Sequence, residues 1–288
     1  MLAAAELKAL LSAHGLRLTK RLGQHHLIDA RLIRRIVERC RLSPHDTVVE
    51  IGAGLGALTE PLAERAGRVI AVEVDRKIAA LLADRARAWP NVAVVHQDIL
   101  TFSWRQLTDV VVVGAIPYHI TSLIIAQLSD VRGALRRAVL IVQTEVAQRL
   151  VAKPGTKAYS RLSVLGQYGW EIAPVLPIPR SAFFPQPSVD SRCLELTPRE
   201  RPAADVQDEP LFFEVVKTAF SQRRKTLVNC LSNVAVPGVS RQALASILED
   251  ADLAASVRGE TLSLEQFAYL TNALARANVL QRPLASQH

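Results

Sequence analysis

The sequence predicts an α/β fold in which a doubly wound parallel sheet is followed by a small helical domain. Three observations predict it. Short β-branched runs recur between residues 48 and 142, helical patterns alternate with them, and residues 211–288 show helical spacing without strand signals. Strands that alternate with helices form parallel sheets covered on both faces. At 288 residues the chain is long enough for one large domain with an appendage.

The predicted strands are almost entirely apolar, as expected for strands that helices cover on both faces. They lie at residues 48–51, 69–74, 92–96, 110–113 and 139–142. The stretches 58–65 and 77–87 have helical spacing and connect successive strands. Two further strands are predicted near residues 162–170 and 192–196, with a proline-rich stretch at 174–187 between them.

A change of composition at residues 198–210 predicts a linker. The segment is rich in proline and charge and poor in apolar residues. Helical spacing follows at 211–231, 241–253 and 263–275. We therefore expect a first domain over residues 1–197 and a helical second domain over residues 211–288.

The cysteines and the apolar runs of the sequence indicate in which cellular compartment the protein resides. Three cysteines without C-x-x-C spacing argue against a disulfide framework or a cysteine-rich zinc site, and we expect no metal. Glu6 and Lys8 interrupt the apolar N-terminus, which predicts an amphipathic helix rather than a signal peptide. The longest apolar run, residues 110–116, is far shorter than the roughly 20 residues that span a bilayer. We expect a cytoplasmic protein without a membrane partner.

The basic charge of the chain is concentrated in two places. The formal charge is +8, the sequence pI is near 9.8, and seven of the 35 basic residues are lysines, so arginine dominates. Residues 17–41 hold eight basic and two acidic residues, and a second basic cluster comprises Lys217, Arg223, Arg224 and Lys225. Arginine-rich clusters favour contact with nucleic acid phosphates. A solvated helix face is the alternative for the first cluster, and interdomain packing for the second.

A glycine-rich turn, Glu-Ile-Gly-Ala-Gly-Leu-Gly at residues 50–56, follows the first predicted strand. Such a turn lets the backbone approach a ligand closely, and it also satisfies a loose dinucleotide-binding pattern. Glu50 before the glycines would repel a pyrophosphate but can hold an ammonium group. Glu73 ends the next strand, where a carboxylate binds ribose hydroxyls, and Asp98 follows the third, where it accepts from an adenine amine. An ammonium, a ribose and an adenine together describe S-adenosylmethionine (SAM).

The fourth predicted strand leads into the sequence Gly-Ala-Ile-Pro-Tyr at residues 114–118. Ligands bind at the carboxyl edge of a parallel sheet, so this segment faces the reaction site. Tyr118 can stack on a base turned out of its helix or loop, and backbone carbonyls beside Pro117 can accept hydrogen bonds from its exocyclic amine. Simple packing of the loop under a helix is the alternative.

Further motifs extend the pattern nearly from end to end. They are residues 21–29 (RLGQHHLID), 72–75 (VEVD), 97–98 (QD), 115–118 (AIPY), 143–149 (QTEVAQR), 183–191 (FFPQPSVDS), 219–227 (AFSQRRKTL) and 258–263 (RGETLS). With the glycine loop, they resemble the KsgA-type family of small-subunit ribosomal RNA adenine dimethyltransferases. The resemblance implies a Rossmann-like, class I SAM-dependent methyltransferase domain with a small C-terminal helical domain that binds rRNA.

The resemblance also implies roles for individual residues. It implies SAM contacts at His25, Leu27, Gly52, Gly54, Glu73, Asp98 and Ala115. It implies a catalytic segment at Ala115, Ile116, Pro117 and Tyr118, with Tyr118 and Phe183 bounding the base pocket. RNA contacts are expected at Arg21, Arg223, Arg224 and Lys225. The implied substrate is a pair of adjacent adenines in a hairpin loop of 16S rRNA, each converted to N6,N6-dimethyladenine on a 30S precursor during ribosome biogenesis by a monomeric enzyme.

Two residues depart from the family pattern. His26 stands where the family usually has Phe, and Ala115 stands where it carries Asn. The Ala115 side chain offers no acceptor to the adenine amine, so we expect reduced methylation.

Two further interpretations remain open. One is a methylation-deficient ribosome-assembly or RNA-binding factor. The other is a macrolide-resistance type methyltransferase of large-subunit rRNA, against which residues 183–191 and 221–227 argue. A nicotinamide dehydrogenase is disfavoured because no catalytic His, Lys or Tyr arrangement accompanies the glycines.

Overall fold

The computed structural model describes residues 4–16, 24–117, 120–222, 224–232 and 240–281. The chain divides into two compact units. One comprises residues 1–147 and 171–198, and the other comprises residues 148–170 and 199–288. No helix of the described ranges is long and apolar enough to cross a membrane.

A seven-stranded sheet organises the first unit. Its strands are β2 (Thr47–Ile51), β3 (Arg68–Glu73), β4 (Val92–His96), β5 (Val110–Ala115), β6 (Leu135–Gln143), β7 (Trp170–Ile178) and β9 (Ser191–Pro198), in the order β4-β3-β2-β5-β6-β9-β7. The first five in that order are parallel, and β9 runs antiparallel to β6. A separate ribbon pairs β1 (His26–Leu27) with β8 (Phe183–Phe184). The predicted parallel α/β sheet is confirmed.

Helices connect the strands and cover the sheet. They are α1 (Ala4–Ala13), α2 (Ala30–Arg39), α3 (Thr59–Ala63), α4 (Arg76–Ala86), α5 (Thr121–Asp130) and α6 (Thr144–Leu150). The apolar face of α2 packs Ile33 and Ile36 into a core shared with Val48, Val111 and Val139. Successive strands proceed from β2 to β4 in one direction and from β5 to β6 in the other. This reversal opens a crevice at the carboxyl ends of β2 and β5, where ligands bind in such sheets.

Two aspartates fix the starts of the helices nearest that crevice. The side chain of Asp29 accepts hydrogen bonds from the backbone N–H groups of Arg31 and Leu32 at the start of α2. Asp75 accepts from Lys77 and Ile78 in the same way at the start of α4. Each cap satisfies donors that a helix terminus otherwise leaves unpaired, so the segments preceding both helices are held in one position.

The predicted strand near residues 162–170 is wrong, because residues Arg161–Gly169 form helix α7. Ser160 and Ser163 cap this helix reciprocally, and Tyr168 packs against Phe212 with ring centroids 4.7 Å apart. A short apolar run cannot distinguish a buried strand from a buried helix. The strand begins instead at Trp170 and extends into the proline-rich stretch as far as Ile178. It tolerates these prolines because β7 is an edge strand.

The second unit is helical. It contains α7, α8 (Glu209–Ala219), α9 (Leu227–Leu231), α10 (Arg241–Asp250) and α11 (Leu264–Gln281). Residues 148–170, which we expected in the first domain, belong to this unit because α7 packs into its core. The expected linker is also part of it. Gln207 donates its backbone N–H to Asn272, which in turn donates to the Asp205 carbonyl.

Candidate functional site

A cavity opens at the carboxyl ends of β2, β3 and β5, at the crevice described above. Its wall comprises Gln24, His25, His26, Leu27, Glu50, Gly52, Ala53, Gly54, Leu55, Ala57, Leu58, Glu73, Val74, Ile78, Ala115 and Pro117. Six of the seven residues expected to contact a cofactor are in this wall, and Asp98 is the exception. The cavity therefore brings together side chains from four separate stretches of the sequence.

The glycine loop forms one side of the cavity. Gly52 and Gly54 have φ angles of +67° and +56°, a conformation that residues with a Cβ rarely adopt. Two backbone N–H groups, those of Gly52 and Ala53, donate to the Val72 carbonyl at 2.9 and 3.1 Å, which ties the loop to β3. A Cβ on Gly52 would lie 3.5 Å from the Ala115 carbonyl oxygen. These hydrogen bonds hold the loop in place, and because Gly52 and Gly54 carry no side chain, a ligand can approach the loop backbone.

Glu73 connects the glycine loop to the start of α4. Its carboxylate accepts hydrogen bonds from the backbone N–H groups of Gly54 and Asp75, each at 2.9 Å. The side chain is almost fully buried. Burial raises the pKa of Glu73 above its usual value, although these two N–H groups counteract the rise. A carboxylate oxygen can accept two hydrogen bonds, so Glu73 keeps acceptor capacity for a ligand.

Glu50 is a buried acid, and no lysine or arginine pairs with it in the described part of the chain. It is 1% exposed, and its carboxylate accepts a hydrogen bond from the Thr59 hydroxyl at 2.5 Å. Burial, and to a smaller extent the nearby Glu73, raise the pKa of Glu50 to about 8, although the hydrogen bond from Thr59 counteracts the rise. A cation entering the cavity would favour the ionised form. The site therefore suits a ligand with an ammonium group and disfavours a pyrophosphate.

The segment that contains His25 and Leu27 is anchored on the opposite side. Leu27 pairs with Phe183 in the ribbon, and the His25 Nδ1 lies 2.6 Å from the carbonyl oxygen of Pro185. Because a carbonyl only accepts, Nδ1 carries the hydrogen in this contact. The Gln24 amide donates to Asp75 at 2.9 Å, which joins the segment to the start of α4. Neither Gln24 nor Asp75 was among the expected site residues, although both lie within the motifs quoted above.

The expected catalytic segment follows β5. Ala115 ends this strand, and the backbone N–H of Ile116 donates to the Ile141 carbonyl of β6. The Pro117 carbonyl accepts from the Ile120 N–H and the Thr121 hydroxyl, each at 3.2 Å. The Ile116 carbonyl accepts no hydrogen bond from another described residue. Ile116 is buried and is not in the cavity wall, whereas Ala115 and Pro117 are. Tyr118 lies outside the described residues.

Asp98 and Phe183 do not line the cavity. Asp98 is exposed, and its side chain accepts the Leu100 N–H to cap a short 3-10 helix after β4. Phe183 is 5% exposed and packs in the core that also contains Leu27 and Ile178. Their expected contacts with adenine and with the target base stay predictions.

The basic clusters are partly neutralised within the fold. Arg41 pairs with the buried Glu195, which also binds Arg137 at 3.3 Å, so Arg41 has a structural partner. Four other arginines of the first cluster lie exposed on α2 without an ion pair among the described residues. They are Arg31, Arg34, Arg35 and Arg39.

In the second cluster, Lys217 pairs with Glu214 at 3.0 Å. Arg224 and Lys225 are exposed. Arg21 and Arg223 lie outside the described residues. No group of three His, Cys, Asp or Glu side chains in the described ranges is placed to hold a metal ion.

Comparison with known proteins places the chain among rRNA-modifying proteins. The sequence model of the ribosomal RNA adenine dimethylase family matches residues 15–270. The ribosomal RNA small subunit methyltransferase A of a Geobacillus species is 41% identical over 276 residues, covering 93% of this chain and 95% of that protein. The protein of the same name from Bacillus mycoides is 42% identical over 277 residues, covering 93% and 94%.

Two solved structures are similar over most of their length. A dimethyladenosine transferase from Plasmodium falciparum has a TM-score of 0.75 and 25% identity, covering 88% of this chain and 98% of that one. The 23S rRNA methyltransferase ErmE has a TM-score of 0.66 and 29% identity, covering 87% and 99%. The fold and the sequence thus point to the same group of enzymes.

Proposed function

The chain belongs to the ribosomal RNA adenine dimethylase family, and from this premise we propose its substrate and mechanism. The substrate is a pair of adjacent adenines in a hairpin loop of 16S rRNA, each methylated twice at N6 with SAM as the methyl donor. The enzyme acts as a cytoplasmic monomer on the 30S precursor. The observation that carries the proposal is the convergence of the glycine loop, Glu50 and Glu73 beside Ala115 and Pro117 in one cavity.

The residues of the cavity fit SAM. Glu73 keeps acceptor capacity for ribose hydroxyls, and Glu50 is a buried acid that a ligand ammonium would stabilise in its ionised form. Gly52 and Gly54 leave room for the ligand against the backbone. We assign His25 and Leu27 to the same ligand, since both line the cavity, and Asp98 to its adenine amine. When bound, SAM supplies an electrophilic methyl group on a sulfonium.

The catalytic contribution of the chain is to position the adenine amine. The N6 lone pair is delocalised into the ring, so hydrogen bonds that the N6–H groups donate favour a pyramidal, nucleophilic nitrogen. We assign the Ile116 carbonyl as an acceptor for this amine. The backbone N–H of Ile116 donates to the Ile141 carbonyl of β6, which holds this residue in position. Tyr118 and Phe183 are assigned to the two faces of the base. Alignment and exclusion of water then account for most of the rate enhancement.

A large-subunit rRNA substrate is the main competing possibility. The 23S rRNA methyltransferase ErmE is 29% identical to this chain, whereas the small-subunit methyltransferases reach 41–42%. The difference favours the small-subunit substrate. A methylation-deficient assembly factor is the other alternative, and the observation that favours it is Ala115, which offers no side-chain acceptor in the cavity wall.

Methylation of isolated ribosomal subunits distinguishes the three possibilities. Small and large subunits from a strain that lacks adenine dimethylation are incubated with the full-length protein and methyl-labelled SAM, and the labelled bases are mapped by mass spectrometry. We expect label on two adjacent adenines of 16S rRNA. Label on 23S rRNA would overturn the substrate assignment. Stable binding to small subunits without label would instead identify an assembly factor.

A further inference from the structure

His26 is a buried polar side chain in the wall of the proposed cofactor cavity. It lies on β1 and is 8% exposed. Its Nδ1 lies 3.8 Å from the position that a Cβ on Gly54 would occupy, so the ring stands directly against the glycine loop. The pattern of the family places Phe here, which can fill the same space without any polar atom.

The imidazole has no hydrogen bond or ion pair with another part of the described chain. Buried polar groups are nearly always paired, because an unpaired one destabilises the folded state. Among the described residues, several side-chain nitrogen and oxygen atoms are fully buried and lack a hydrogen-bond partner, but the His26 nitrogens are not among them. The nitrogens are therefore not fully occluded, and His26 belongs to the cavity wall.

The charge state of the ring at neutral pH follows from its surroundings. Burial, and to a smaller extent the positive charge of Arg85, lower the pKa of His26 to about 4. The neutral ring then presents one N–H donor and one nitrogen acceptor. Glu73 and the N–H of Gly54 lie on the adjacent part of the wall. A ligand with hydroxyl, ammonium or carboxylate groups can satisfy the ring.

We propose that His26 hydrogen-bonds to a polar group of bound SAM and is a cofactor-binding residue that the family pattern does not supply. The inference rests on the proposed function, because it takes the cavity to be the SAM site. The bound cofactor would supply the partner that the folded chain does not. The Phe of the family pattern cannot make this bond, so substitution by Phe removes the bond and keeps an aromatic ring, although a larger one, at this position.

Calorimetry with S-adenosylhomocysteine tests the bond without turnover. The full-length protein is compared with His26→Phe, with His26→Gln, which keeps polar atoms, and with His45→Phe, which alters an exposed histidine. We expect His26→Phe to weaken binding about 2- to 10-fold, the effect of one neutral hydrogen bond. His26→Gln should recover part of the loss, and His45→Phe should bind as the unaltered protein does.

Two further measurements locate the contact. Methylthioadenosine lacks the amino-acid part, so an equal loss for both ligands places the bond on the nucleoside, and a loss for S-adenosylhomocysteine alone places it on the amino acid. The ¹⁵N resonances of the His26 ring should shift when S-adenosylhomocysteine is added. Unchanged affinity in His26→Phe together with unshifted resonances would overturn the inference. Absence of binding by the unaltered protein would instead refute the proposed SAM site.

Discussion

Replacement of Ala115 by Asn should increase the rate of methylation. Ala115 lines the cavity at the end of β5, so an Asn at this position would add a side-chain acceptor to the cavity wall. The Pro117 carbonyl is already engaged by Ile120 and Thr121. Among the described residues, the Ile116 carbonyl is the acceptor that we assign to the target amine, and Ala115→Asn adds a second.

The expected gain follows from one buried hydrogen bond. A buried donor that lacks its acceptor costs roughly 1–3 kcal/mol, which corresponds to about 5- to 150-fold in rate if the bond forms only in the transition state. The effect belongs to the methyl-transfer step. Single-turnover methylation of unmodified small subunits, with SAM and protein in excess, measures that step directly.

A matched variant separates polarity from size. Ala115→Leu resembles Asn in shape but offers no acceptor, so its rate should not exceed that of the unaltered protein. Affinity for S-adenosylhomocysteine, measured in parallel, shows whether any change arises from cofactor binding. If Ala115→Asn gives no increase at saturating SAM, or if Leu gives the same increase, the missing acceptor does not limit the reaction.

Two further predictions concern charge. The folded-state pKa of Glu50, about 8, lies above its ordinary value of 4.5; its contribution to stability is therefore complete below pH 4.5 and is lost as the pH rises through 8. The urea midpoint of Glu50→Gln should exceed that of the unaltered protein by an amount that grows between pH 5 and 8. A difference between the two midpoints that does not change with pH would contradict this. On α2, the double variant Arg34→Ala, Arg35→Ala should weaken RNA binding. The slope of log affinity against log salt concentration should fall in magnitude by about 0.7–0.9 for each phosphate that the variant no longer neutralises. Arg87→Ala, which removes an exposed arginine of the same unit, is the control, and an unchanged slope would exclude α2 from the RNA interface.

The sequence determined the sheet and the location of the site. Five apolar, β-branched runs predicted the five parallel strands. Burial on both faces leaves little choice of residue in β2, β3, β5 and β6, whereas β4, at the edge of the sheet, is only partly buried. The glycine loop and Glu73 lie at strand ends, and parallel strands bring their carboxyl ends to one edge. Local pattern therefore predicted that the glycine loop and Glu73 meet in the cavity, whereas His25 and Leu27 were implied only by the family resemblance, and Asp98 does not line the cavity.

Other features depended on contacts between residues far apart in the sequence. Helix α7 was mistaken for a strand because its apolar residues pack against Phe212 of α8, which no local pattern shows. Arg41 counted toward the basic cluster until the fold paired it with Glu195, 154 residues away. The raised pKa of Glu50 and the unpaired ring of His26 also arise only on folding. Burial and pairing are properties of the packed chain, so the tertiary structure alone decided them.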